Sequence, residues 1–313
     1  MVCADDRSFS IVQLLRRLLV ATAGLVLTAC SGFPVVHSQS DNFNSRVNHL
    51  VIHFTSEDFE RSLAILTGQT DRSVSAHFLL PDPADKSYLS TKLKVYALVN
   101  TSDRAWHAGQ SYWAGKTGLN DQSIGIEIVN LSGCNRDIAE LGNSGQFGAA
   151  CQFLPFRDEQ IVLLTRLLKE LLKQYPDIKP ESVVGHADIA PGRKVDPGPL
   201  FPWETLHDAG IGAWFDESRA SELALLLEQH PLTISQQQAL LAAYGYDLSI
   251  TGLEDERSQL AVRAFQMHFR PANYSGFFDN ESTARLISLL ERYRPRVLAS
   301  LDDFPAALHT PKQ

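Results

Sequence analysis

The stretch VVGHADIAPGRKVDPGP, residues 183–199, constrains this chain more than any other. Val183-Val184 reads as the end of a β-strand, and His186 follows directly. Pro191, Gly192, Pro197, Gly198 and Pro199 then break the segment, so it cannot be the interior of a helix. The fold has to present it as a rigid loop at a strand end. A His and an Asp on that loop, His186 and Asp196, are two candidate ligands for one metal ion. Lys194 and Asp196 are two apart, so in an extended chain their side chains leave on the same side. A metal-ligating carboxylate beside a cationic amine suits amide hydrolysis. The metal activates water, and the amine holds the charge that develops on the carbonyl oxygen. Taken alone, the stretch reads equally well as a proline-rich surface turn with scattered polar residues.

The remaining chain supplies the sheet for that loop. HLVIHFT, from His49 to Thr55, alternates: Leu50, Ile52 and Phe54 face one way, and His49, Val51 and His53 the other. This is a strand with a packed face and a functional face. A helix is predicted over Glu57–Leu66, with Ser56 as its N-cap and Gly68 as its stop. Ser75–Leu80 and Leu93–Asn100 read as strands. Ile124, Ile126 and Ile128 form the apolar face of another, with Glu127 on the opposite face. Residues 131–155 are rich in loop-forming glycine. Asp158–Tyr175 is an amphipathic helix that buries Leu163, Leu164, Leu167, Leu168 and Leu171. Strands mixed with helices in this order predict an α/β fold, a central mixed β-sheet flanked by helices. After about Phe215 the pattern turns helical, over Ser218–His230, Ser235–Tyr244, Glu256–His268 and Ser282–Tyr293. That is a second, small all-α domain, with Ala261, Val262, Phe265 and Phe269 as core. A tail from 295 to 313, with three prolines, is expected to be mobile.

The length of 313 residues suits about two domains, and 44% hydrophobic with 20% charged residues is enough for a real core. A net charge of −8 and the lack of a Lys/Arg stripe give no footprint for nucleic acid. Arg16-Arg17 precede an apolar run, Leu18–Ala29, too short to span a bilayer but suited to a signal-peptide core. Leu27-Thr28-Ala29-Cys30 resembles a bacterial lipoprotein processing site, which implies cleavage before Cys30 and lipidation of its sulfur and amine. Two or more acyl chains anchor firmly. Ser31 in place of an Asp implies sorting to the outer membrane. Asp5 and Asp6 are atypical for the start of a signal peptide and point to a start codon further downstream. The expected division is 1–29 signal peptide, 30–45 tether, 46–215 catalytic domain, 216–294 helical domain and 295–313 tail. After cleavage the chain would carry −9, and the remaining cysteines are Cys134 and Cys151. A leftover pair in an oxidising compartment suggests a disulfide, with two buried thiols as the alternative.

His53, Glu127, His186, Lys194 and Asp196 all stand where apolar residues would be cheaper. A Glu inside an isoleucine strand is costly to bury unpaired, unless it meets a surface Lys. His53, His186 and Asp196 together supply three zinc ligands and leave a fourth position for water, the arrangement of a catalytic site.

The segments VIHFT, SAHFLL, AWHAG, NDQSIGIEIVN and HADIAPGRKVDPGPLFPW resemble the N-acetylmuramoyl-L-alanine amidases of the type-2 zinc amidase family, which shares its fold with peptidoglycan-recognition proteins. The resemblance runs from about Val47 to Trp214. It narrows, through the lipoprotein signal and the later YGY and AFQMHFRP segments, to the outer-membrane lipoprotein members. The part after Phe215 resembles small helical peptidoglycan-binding domains more weakly. Residue by residue, the resemblance implies one Zn2+ on His53, His186 and Asp196, a catalytic acid at Glu127 and an oxyanion-stabilising Lys194. Trp106 and His107 are expected at the substrate groove. His77 fits the groove or the core, and Arg193 a stem-peptide carboxylate or solvent. Asp188 is close to His186, but the motif places the ligand at Asp196.

The implied activity is cleavage of the amide between N-acetylmuramic acid, including 1,6-anhydro forms, and L-Ala of the stem peptide, in cell-wall turnover. The implied partners are peptidoglycan, muropeptides and, through Cys30, the outer-membrane lipid, with the protein facing the periplasm as a monomer. A non-catalytic peptidoglycan-binding lipoprotein is disfavoured because Glu127 and Asp196 are both present. A zinc endopeptidase cutting within the stem peptide stays open. The helical domain is expected to fold separately and to add wall affinity, so a chain ending near Phe215 should still cleave soluble muropeptides.

Overall fold

A computed structural model describes residues 36–134, 150–302 and 304–308. Cys30 and the signal segment lie outside the described residues. Residues 36–44 belong to a unit of their own and are exposed, without helix or strand. Everything from Ser45 onward forms a second unit.

That unit is built on a five-stranded sheet. Its strands are His49–Phe54 (β1), Phe78–Leu80 (β2), Tyr96–Ala97 (β3), Ser123–Ile128 (β6) and Val183–Gly185 (β9), in the order β3-β2-β6-β1-β9. Two small antiparallel pairs stand beside it: Tyr112–Trp113 (β4) with Lys116–Thr117 (β5), and Gly133–Cys134 (β7) with Cys151–Gln152 (β8). Strands β2, β6, β1 and β9 run parallel, and β3 joins antiparallel. Parallel strands are buried on both faces, and β1 is buried at every position. Leu50, Ile52, Phe54, Ile124, Ile126 and Ile128 share a core with Leu164, Leu168 and Leu171 of the helix Asp158–Gln174 (α2). Leu163 and Leu167, expected in that core, are only half-buried at its margin.

The first helix, α1 at Phe59–Leu66, starts later than the sequence suggests. Asp58, not Ser56, caps it, accepting from the Arg61 N–H at 2.8 Å. Ser56 sits at φ 57° and sends its Oγ–H to Ser132 O, so its hydroxyl is spent on the 132 loop. The strands near 75 and 93 shrink to Phe78–Leu80 and Tyr96–Ala97. The 183–199 stretch holds one turn of helix, His186–Ile189 (α3), before Pro191 ends it. Trp203–Asp208 (α4) follows.

Beyond Phe215 the chain is helical: Glu217–Gln229 (α5), Ile234–Tyr244 (α6), Glu256–Phe269 (α7) and Asn280–Tyr293 (α8). Asp216, Thr233, Asp255 and Asp279 each accept from the backbone N–H three residues on. Side-chain capping of this kind satisfies donors that a helix start leaves free. Helix α7 is buried almost all round, with Ala261, Val262, Phe265 and Phe269 in the core as expected. Such a helix needs partners on every side. One cluster of buried side chains runs from the sheet through α7 to Leu290, so the helical part and the sheet share a core. The tail departs from expectation. A turn of helix at Pro295–Leu298 (α9) buries Leu298, and Leu308 is buried with its carbonyl held by Arg219 at 3.0 Å.

Candidate metal centre and catalytic cavity

His53 lies one residue from the end of β1, Glu127 one from the end of β6, and His186 directly after β9. The carboxyl ends of parallel strands are where open α/β sheets place their ligands. The Ala187 N–H donates to Asp196 O at 2.8 Å. That bond closes the proline-glycine loop and returns Asp196 to His186.

The three candidate ligands meet there. His53 Nδ1 and His186 Nδ1 are 2.9 Å apart, and Asp196 Oδ2 is 2.8 Å from the first and 3.1 Å from the second. Donors held tetrahedrally at zinc bond lengths stand about 3.3 Å from one another, so this triangle has nearly the right size. Two imidazoles and a carboxylate, all buried, are a donor set for a divalent transition metal. Burial pushes the His53 imidazole down to about 4, and the neighbouring His186 adds to it. His53 is therefore neutral and able to ligate at neutral pH. Burial opposes the charge on Asp196, but His186 and His53 outweigh it and hold the carboxyl well below its usual range.

A second layer orients these ligands. With Nδ1 facing the metal position, His53 Nε2–H donates to His107 Nδ1 at 3.1 Å. His107 Nε2–H then donates to Ser123 Oγ at 3.1 Å, whose hydroxyl ends on Leu119 O. His186 Nε2–H donates to Ala108 O at 3.1 Å. Partners of this kind fix the tautomer and aim of a ligating imidazole. Asn120 Oδ1 holds the segment by accepting from the N–H groups of His107 and Ala108 at 3.0 and 2.7 Å. Gly125 makes room, since a Cβ there would overlap the His107 ring.

Glu127, Lys194 and Trp106 line a cavity of about 360 Å³ above the triangle. Glu127 Oε2 is buried with no hydrogen-bond partner. Burial raises its carboxyl well above the usual range, Asp196 adds to that, and Lys194 opposes it. Trp106 is 55% exposed on the rim. Arg72, Val74 and Ser75, which sequence reasoning did not single out, extend the wall towards α1.

Three further candidates take these places. His107 is mostly buried and supports His53 from below, and it also lines the cavity beside Trp106. Arg193 donates through Nη2 to Ala108 O and Gln110 O, both at 2.6 Å, and does not line the metal cavity. His77 is a core residue whose Nδ1 accepts from the Gly125 N–H. Asp188 is turned away from the metal position, as the motif implied, and accepts from the Gly185 N–H. Cys134 and Cys151 are bridged, across the β7–β8 pair.

Comparison with known proteins now bears on the assignment. Residues 43–199 match the family described as N-acetylmuramoyl-L-alanine amidase, and residues 233–286 match a peptidoglycan binding domain family. The chain is 41% identical over 288 residues to the N-acetylmuramoyl-L-alanine amidase AmiD of Escherichia coli K12, covering 88% of this chain and 97% of that protein. Among solved structures it is similar to AmpDH3 from Pseudomonas aeruginosa in complex with anhydromuramic pentapeptide. The TM-score there is 0.74 at 41% identity, over 82% of this chain and 96% of that one. It is also similar to E. coli AmiD in complex with anhydro-N-acetylmuramic acid-L-Ala-D-gamma-Glu-L-Lys, with a TM-score of 0.70 at 40% identity, over 84% and 96% of the two chains. Agreement over half the chain with the family, and over nearly the whole length of AmiD, makes this chain an enzyme of the N-acetylmuramoyl-L-alanine amidase family.

Proposed function

We propose that the protein hydrolyses the amide between N-acetylmuramic acid, 1,6-anhydro forms included, and the L-Ala of the stem peptide, using one zinc ion held by His53, His186 and Asp196. The observation that carries this reading is the unpartnered Glu127 Oε2 in one cavity with Lys194 and the three-ligand triangle. The substrates seen with AmpDH3 and AmiD support the anhydromuropeptide class.

Bound at the triangle, zinc would supply a Lewis acid and lower the pKa of water. Glu127 does the proton work. Its raised pKa suits a group that takes a proton from the attacking water at Oε2 and returns it to the departing L-Ala nitrogen. Lys194 places its ammonium charge towards the oxyanion that forms on the scissile carbonyl. Trp106 offers an exposed aromatic face to substrate at the rim. The test is mass spectrometry of an anhydro-muropeptide digest. Free anhydro-N-acetylmuramic acid and an intact peptide beginning with L-Ala are expected. Fragments cut within the peptide would overturn the reading in favour of an endopeptidase.

The same reading assigns residues 46–215 to catalysis and 216–294 to peptidoglycan binding, supported by the two family matches. It anchors the mature protein to the outer membrane through lipid on Cys30, facing the periplasm as a monomer. The support is the Arg16-Arg17, Leu18–Ala29 and LTAC sequence. No described helix is long and apolar enough to cross a membrane. Cys30→Ser should move the protein from the membrane fraction to the soluble periplasm.

A further inference from the structure

The one-turn helix α3 carries ligand His186 at its start and Asp188 on the same turn. Asp188 is buried and takes three hydrogen bonds. Oδ2 accepts from the Gly185 N–H at 2.7 Å and from His268 Nδ1–H at 2.7 Å, and Oδ1 accepts from the Tyr246 hydroxyl at 2.6 Å. The first donor is local to the loop. The other two come from the helical part, His268 from α7 and Tyr246 from the segment after α6. Neither donor is free to wander. The His268 ring stacks on Trp203 with centroids 3.8 Å apart, and Tyr246 meets Trp113 edge-on at 4.9 Å. A second contact clamps the same loop from α7. Gly192 lies between the ligands His186 and Asp196, at φ 77°, and a Cβ there would meet Leu260 Cδ1 at 2.6 Å. The loop that holds two of three metal ligands is therefore seated on the helical part and not on the sheet alone.

We infer that His268 and Tyr246 are positioning residues for the metal centre: through Asp188 they hold α3, and so His186, in ligating geometry. The helical part thereby acts on the active site directly, besides any affinity it has for the wall. The inference rests on the zinc reading above. Removing a hydrogen bond made directly to a ligand lowers metal affinity by about 10–100-fold in other sites; these bonds act one step further out, so a smaller loss is expected.

Three full-length variants test this. Tyr246→Phe removes one oxygen and keeps the ring. His268→Leu removes the donor. His268→Asn restores an N–H near the position of Nδ1. Zn2+ affinity is measured by competition with a chelator, and Co2+ absorption reports the geometry of the ligand set. Tyr246→Phe and His268→Leu should bind Zn2+ measurably more weakly than wild type, by up to about 10-fold, with an altered Co2+ spectrum. His268→Asn should recover most of the affinity. KM for a soluble muropeptide should stay unchanged at saturating Zn2+. Wild-type Zn2+ affinity and Co2+ spectrum in both Tyr246→Phe and His268→Leu, whatever their melting temperature, would reduce these contacts to domain glue and overturn the inference. If His268→Leu does not fold, Tyr246→Phe decides alone, because a single lost hydroxyl leaves the packing in place. Wild-type protein that binds no Zn2+ would instead remove the zinc reading itself.

Discussion

A buried carboxylate oxygen without a donor is costly, and Glu127 Oε2 is in that state at the cavity wall beside the negative Asp196. The proton transfer proposed for it would account for that cost. Glu127→Gln keeps the shape and loses the base. It should retain stoichiometric zinc and lose about 10²–10⁴-fold in turnover. Lys194→Ala should also keep its zinc and lose about 10²–10³-fold, whereas His186→Ala should lose zinc and activity together. Metal analysis beside a muropeptide assay separates the three. His49 gives a second prediction at the other end of β1. Its Nδ1 is buried without a partner, and burial lowers its pKa from 6.5 to about 4. Between those values the unfolded chain binds a proton that the folded protein refuses. Stability is therefore unaffected above about pH 6.5 and falls as the pH drops towards 4. Urea unfolding at pH 7 and pH 4.5 should show a loss in wild type that is smaller in His49→Gln, by roughly 2 kcal/mol. The residues legible in the sequence were those whose type is costly where it stands: His53, Glu127, His186 and Asp196. The role of His107 was not legible, because it depends on Gly125, Asn120 and Ser123 meeting it across the chain. Arg193 is exposed and lines a neighbouring groove, and its anchoring was hidden for a related reason. Its partners are the main-chain carbonyls of residues 108 and 110, which no side-chain pattern announces.

At the level of elements, β6 shows how one strand serves both core and site. Its isoleucines fill the core on one side, while Gly125 and Glu127 leave the other side open for the His107 ring and the cavity. The alternation was readable, but the reason for a glycine within it was not. Gly125→Ala should displace the His107 ring, weaken its bond to His53, and cost about 1–3 kcal/mol by overpacking. Equilibrium urea unfolding measures the cost, and a raised Zn2+ dissociation constant would show that it reaches the metal centre. The β7–β8 pair is stapled by Cys134–Cys151 across a sequence separation of 17. A closed loop of that length is worth about 3 kcal/mol in the chain-entropy description, so reductant should lower the melting temperature of wild type but not of a Cys134→Ser, Cys151→Ser double variant. Element ends were less legible than the elements themselves. Ser56 and Asp58 are both good caps on paper, and a bond from Ser56 to Ser132, far along the chain, leaves the helix to Asp58.

For the whole molecule, the change to an all-helical pattern after Phe215 was legible, yet it suggested an independence that the packing does not support. Trp113, Trp203, Trp214 and Phe215 are all at least nine-tenths buried, within a core they share with Phe265 and Phe269 of α7. Ending the chain at Phe215 would expose those aromatic faces. It would also strip His268 and Tyr246 from Asp188, leaving its carboxylate with the Gly185 N–H alone. Leaving a buried polar group without its partner costs about 1–3 kcal/mol, and the lost apolar contacts add to that, against the roughly 5–15 kcal/mol that holds a domain folded. The amidase part on its own should therefore be poorly folded or aggregated, and any soluble fraction should bind Zn2+ weakly. Restoring residues 216–308 should recover folding, zinc and turnover on a soluble muropeptide, a substrate too small to need a separate grip on the wall. Circular dichroism, zinc content and kcat on the protein ending at Phe215 decide between the two views. A folded, zinc-loaded enzyme with wild-type kcat would show that the shared core is dispensable and that the helical part serves wall affinity only.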